Sequence, residues 1–106
     1  MRVRKEHGIS SEDALLIAQC SDALAHPARV EIFKYIYNQN MAFSSCCNKD
    51  LIEEFGYAQS TISQHISKLV ASDLIEVRKS GVKANYYVNV GILQKYLNSV
   101  KKLNER

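Results

Sequence analysis

The apolar residues of this chain change their spacing at residue 75, and that change limits the folds open to it. From residue 11 to residue 74 they recur every three or four positions, the period of helices with one buried face. In "IEVRKS", residues 75–80, Ile75 and Val77 instead alternate with Glu76 and Arg78. "NYYVNV", residues 85–90, is rich in the aromatic and β-branched residues that strands favour. Ser80, Gly81, Val82, Lys83 and Ala84 lie between the two, a turn of hairpin length. Helical spacing returns in "GILQKYLNSVKKL", where Ile92, Leu93, Tyr96, Leu97 and Val100 share a face. A chain of 106 residues supports one core, so residues 1–106 are expected to form a single domain, mainly α with a small β-hairpin.

Four helices are expected before the hairpin. In "SSEDALLIAQCSDALA" Ser10 can cap, with Asp13 three residues on, and Leu15, Leu16, Ala18 and Leu24 supply apolar surface. In "AHPARVEIFKYIYNQN" Pro27 suits a first helical turn, where its missing N–H is no loss. Val30, Phe33, Ile36 and Tyr37 make the expected buried stripe, and Asn38-Gln39-Asn40 ends it. "MAFSSCC" reads equally as loop or short extended piece. "NKDLIEEFG" is a short helix with Asn48 as cap, Leu51, Ile52 and Phe55 inward, and Gly56 as its stop.

The fourth helix, in "YAQSTISQHISKL", has an ordinary inner side and an unusual outer one. Ile62, Ile66, Leu69 and Val70 fall on one face. At about 100° per residue, Ser60, Ser63, Gln64 and Ser67 gather opposite them, with Lys68 alongside, where a solvated helix usually carries Glu, Lys and Arg. Short hydroxyls and an amide suit a helix that enters the major groove of DNA, where side chains must fit and must exchange hydrogen bonds with base edges. Such faces also occur where another helix packs closely. The following hairpin favours the groove, because Arg78, Lys79 and Lys83 put cations where they reach a backbone phosphate or the minor groove. Gln64 can pair with adenine, and Ser60 and Thr61 can meet a phosphate together with free backbone N–H groups.

Net charge is +3, but residues 12–56 sum to −4, while residues 75–88 carry +2 and residues 89–106 carry +3. The distribution suits a polyanion touched by particular elements. A short helix, a turn containing glycine, a second helix and a hairpin form a winged helix-turn-helix, in the order α-α-α-α-β-β-α.

"ALAHPARVEIFKYI" and "DLIEEFGYAQSTISQHISKLVASDLIEVRKSGVKANYYV" resemble the ArsR/SmtB family of bacterial winged helix-turn-helix regulators, over roughly residues 22 to 92. The most specific match is "STISQHISKLVASDLIEVRKSG" followed by "YYV". The resemblance implies a homodimeric repressor on a palindromic operator, with double-stranded DNA as partner and an inducer that releases it. Its interface would be the terminal helices, about residues 10–25 and 91–103. Both helices carry more apolar side chains than so small a core can absorb, which suits an isologous dimer. By the same resemblance Ser60, Thr61, Ser63, Gln64 and His65 are recognition positions, flanked by Ser67 and Lys68, and Arg78, Lys79 and Lys83 belong to the wing. His65 lies between the apolar and polar faces, open to a half-buried role bonded to backbone or phosphate, or to direct base contact.

Members of that family often release DNA when a metal, metalloid or oxidant binds, some through a Cys-x-Cys-Asp-Leu motif before the recognition helix. Here Cys47 takes the first cysteine place, but the second is Lys49, whose ammonium repels a cation. The last helix has no histidine and no carboxylate before Glu105, so an acidic-histidine site there is absent. Cys46 and Cys47 remain as candidates for a thiol-bound metal or metalloid, with distant Cys20 and His7 as further donors. They are also candidates for a redox-reactive thiol or for plain structural residues.

An odd number of cysteines, three, with no secretory apolar segment, points to reduced thiols and a cytoplasmic setting. No stretch is apolar enough for a membrane span. Two other functions compete with this reading. A winged-helix protein-interaction module without specific DNA binding is expected to lack the cationic hairpin, which is present. An enzyme using Cys46 or Cys47 with His26 or His65 as base has nothing to orient the pair.

Overall fold

Ser10 accepts a hydrogen bond from the Asp13 amide at 3.1 Å, and the Asp13 carboxylate reaches back to Ser10, so the first helix starts where the capping signal lies. The computed structural model describes residues 8–105, and His7 lies outside them. The elements are α1 (Ser11–Ala23), α2 (Pro27–Met41), α3 (Asn48–Phe55), α4 (Gln59–Ala71), β1 (Ile75–Ser80), β2 (Lys83–Val88) and α5 (Val90–Lys101), with a final 3₁₀ turn, Lys102–Asn104. This is the winged helix-turn-helix order expected from the sequence. No helix among the described residues is long and apolar enough to cross a membrane.

One core joins every element. Ile32, Ile36, Leu51, Ile62, Leu69, Leu74 and Ile75 are fully buried, with Cys20 and Cys46 among them. Each such aliphatic side chain contributes about 2 kcal/mol through its removal from water. The inner face of α2 is Ala28, Ile32 and Ile36, a register that leaves Val30 47% exposed. Val30 was expected in the stripe. The i, i+4 row through Ile32 is the one that meets the core, and Phe33 and Tyr37 pack only at its margin.

Two further expectations give way to local geometry. The cap of α3 is Cys47, not Asn48: the Asp50 carboxylate accepts from the Cys47 amide at 2.9 Å and from its thiol at 3.3 Å. Asn48 instead accepts from the Tyr86 hydroxyl at 2.6 Å. The hairpin turn is shorter than the five residues between the apolar runs, because Ser80 already pairs with Lys83 and only Gly81 and Val82 remain at the tip. Gly81 takes φ +64, which glycine adopts without strain.

The root of the hairpin is held from three sides. Asn40 on α2 donates to the Tyr86 carbonyl at 3.2 Å and accepts from the Val88 amide at 2.8 Å. The Tyr86 amide donates to the Cys46 carbonyl at 2.8 Å; Met41 belongs to α2, and the remaining "AFSSCC" is a loop whose end is tied to β2. Ser72 donates to the Leu69 carbonyl and accepts from the Leu74 amide, turning the chain out of α4. Beyond the root the alternation of β1 ceases to matter: Ile75 is buried, Val77 is 40% exposed, and the rest of the strand stands in solvent.

The ends of the chain meet through Asp13, which accepts from Ser99 and Lys102, both at 2.8 Å, while Ser21 and Tyr96 share a 3.0 Å bond. Leu15, Val90, Leu97 and Leu103 remain exposed on these terminal elements. Leu97 is thus among the apolar side chains of the last helix that the core of one chain does not absorb.

Candidate nucleic-acid interface

Gly56, at φ +70, ends α3 in the left-handed conformation, and three residues later α4 begins. Ile62, Ile66 and Leu69 bury the inner side of α4. Ser60, Gln64, Ser67 and Lys68 are exposed on the other side, with nothing among the described residues packed over them. Thr61, Ser63 and His65 lie on the flanks, half-buried. No described carboxylate pairs with Lys68.

The residue before α4 is Ala58, whose methyl group cannot cap. Among the described residues the first backbone N–H groups of α4 therefore have no side-chain acceptor, although the Ile62 amide bonds the Ala58 carbonyl. Unsatisfied amides and the positive end of the helix dipole favour an anion there. Ser60 and Thr61 stand in that first turn.

On the hairpin, Arg78, Lys79 and Lys83 are all exposed. Arg78 is held flat against its own sheet: its guanidinium lies 4.3 Å from the centre of the Tyr87 ring and 3.2 Å from the Glu76 carboxylate. Tyr87, which sequence reasoning did not single out, thus forms the seat of a wing cation. Between α4 and the hairpin runs an open groove lined by Ser63, Ile66, Val70, Val77 and Tyr86.

His65 is the residue whose surroundings the sequence least foretold. Its ring lies 4.9 Å from that of His26 and 6.4 Å from that of Tyr57, which stacks in turn on Phe55. Burial, then the neighbouring His26 and Arg29, push His65 below the usual imidazole range. His26 caps α2 by accepting from the Ala28 amide. Arg29 was also missed, though it is the one cation between residues 12 and 33.

All three cysteines are buried and unpaired by disulfide. Burial and Asp50 push the Cys46 thiol up to about 12, and burial raises Cys20 as well. A thiol there keeps its proton and is a poor ligand or nucleophile. Among the described residues no group of three or more His, Cys, Asp or Glu is placed to hold a metal ion.

Residues 26–77 match the model of a family described as bacterial regulatory proteins of the arsR family. The arsenical resistance operon repressor of Staphylococcus xylosus is 35% identical over 75 residues, which span 71% of this chain and 66% of that protein. The corresponding repressor of Staphylococcus aureus is 31% identical over 81 residues, 76% of this chain and 73% of that protein. Among solved structures, an ArsR-like transcriptional regulator from Rhodococcus sp. RHA1 superposes with a TM-score of 0.73 at 20% identity, covering 85% of this chain and 80% of that one. At that identity the likeness concerns the fold alone.

Proposed function

The chain belongs to the arsR family of bacterial regulatory proteins, and from that membership we propose that it is a homodimeric repressor that grips a palindromic operator through α4 and the hairpin and is released by an inducer. The observation that carries this reading is the uncovered polar face of α4, with Ser60, Gln64, Ser67 and Lys68 exposed while Ile62, Ile66 and Leu69 opposite are buried. Such a face costs no stability when left open and finds its hydrogen-bond partners in a groove. Ser60, Thr61 and the free amides of the first turn hold a phosphate. Gln64 and Ser63 meet base edges, with His65, Ser67 and Lys68 alongside. Arg78, Lys79 and Lys83 grip the backbone beside the major groove. Two such units set one turn of B-DNA apart, roughly 34 Å, match a two-fold operator.

Repression follows the two Staphylococcus relatives, which are named as repressors. A metal or metalloid inducer acting at Cys46 and Cys47 would have to draw two buried sulfurs out of the core. The family function as a regulator, rather than an enzyme, also leaves these thiols without a nucleophile's task.

The test is a mobility-shift titration against the operator and against random duplex. Gln64→Ala should weaken operator binding by about 1–3 kcal/mol and leave random-duplex binding nearly intact. Lys83→Ala should weaken both and reduce the salt slope by about one. If neither variant changes operator affinity, the assignment of the reading surface is wrong. Repeating the titration with zinc, arsenite and peroxide identifies any thiol-linked release.

A further inference from the structure

Between the start of α2 and the middle of α4 lies a hollow of about 400 Å³, lined by Arg29, Gln64, His65, Ser67 and Lys68. Every one of these side chains can donate a hydrogen bond to an oxyanion, His65 through its ring N–H, and none carries negative charge. Arg29 is already anchored: its Nε donates to the Ala23 carbonyl at 2.7 Å and its Nη2 to the Asp22 carbonyl at 3.3 Å. Those bonds use two of its five N–H groups and leave the rest unassigned among the described residues. Its guanidinium is thus fixed by the C-terminal end of α1, and no carboxylate among the described residues neutralises it. The walls of the hollow are largely carbon, as suits a deoxyribose, and its polar groups suit the phosphate beside it.

We propose that this hollow seats one backbone phosphate of the duplex, held by Arg29, His65 and Lys68, and that His65 takes up a proton from solvent as the phosphate enters. The proposal rests on the DNA-binding reading above and adds a third grip, on the α2 side of α4, opposite in kind to the wing because it is concave and preformed. The titratable and charged groups facing His65 are His26 and Arg29 from α2, Tyr57 from the turn before α4, and Lys68 on its own helix. Without an anion these surroundings disfavour the imidazolium; a phosphate reverses the sign of the local field. Binding and protonation are then linked, so affinity rises as pH falls through the range in which His65 titrates.

The experiment follows the His65 ring signals by NMR across pH, for the free protein, with a short random-sequence duplex, and with inorganic phosphate at matched ionic strength. The duplex should raise the His65 titration midpoint by about one unit, equivalent to about tenfold tighter binding at the acid end. Lys68→Gln should shrink that rise, and His65→Asn should flatten the pH dependence of binding in a mobility shift while the protein stays folded. Arg29→Lys should shrink it too, and thermal unfolding separates that effect from loss of the α1 anchor. A duplex that binds in the mobility shift while His65 fails to move overturns the phosphate seat and leaves the DNA-binding reading standing. A rise as large with inorganic phosphate as with duplex also overturns it, because the hollow then takes free phosphate. Absence of any duplex binding defeats the DNA-binding reading, and with it the seat.

Discussion

Cys46 has no exposed surface, and its backbone carbonyl holds the Tyr86 amide at the hairpin root. Its thiol, pushed up to about 12 by burial and then by Asp50, differs from an unfolded cysteine only above the ordinary thiol range. The raised folded value means that its share of stability is complete below about pH 9 and is lost as pH climbs toward about 12. Denaturant midpoints taken at about pH 8 and about pH 10 should therefore fall for the parent protein and fall less for Cys46→Ala. Equal declines would mean that the Cys46 thiol is not the group responsible, leaving Cys20, Tyr35 and Tyr86, which burial also raises. Under native conditions a thiol reagent should modify Cys46 only as fast as the core opens.

Among the elements, α1 and α5 are joined by Asp13, whose carboxyl is held far below the usual range by Lys102, then Ser99, then Ser10. A depressed folded value contributes stability above the unfolded value, about 4, and loses it as pH falls through the folded one. The parent protein should lose more stability than Asp13→Asn between about pH 5 and about pH 2, measured by denaturant midpoints at low salt. The order and kind of the five α-helices and two strands were legible in the sequence, because helical and alternating periods are local properties; the final 3₁₀ turn was not. The cap at Ser10, the turn at Pro27 and the stop at Gly56 were legible for the same reason. What escaped was set across space: Val30 lies off the row through Ile32 that meets the core, and Val77 stands beyond the buried root of the hairpin. Asn40 looked like a helix end and is a cross-link to β2. On the candidate site, the exposed row of α4 was visible as a face of unusual composition. The contacts of His65 with His26, and of Arg78 with Tyr87, were not, since ring partners at other positions leave no periodic trace.

For the whole molecule, the exposed Leu15, Leu97 and Leu103 lie on terminal elements that already pack together, and a second copy is the proposed cover. Leu97→Glu should shift the protein to monomer in sedimentation and weaken operator binding by about a hundredfold, as two linked half-site contacts become one. An unchanged sedimentation profile would place the interface elsewhere. The molecule also has a mechanical property that follows from Asn40. With its two bonds to β2 and the Cys46 carbonyl beside them, the hairpin is a cantilever clamped at residues 86–88 and free at Gly81 and Val82. A strand of DNA that deflects the free end loads the clamp before it loads anything else. The torque arrives on α2 and on the cysteine loop together, so whatever loosens that loop slackens the arm at its mounting, far from the tip proposed to grip.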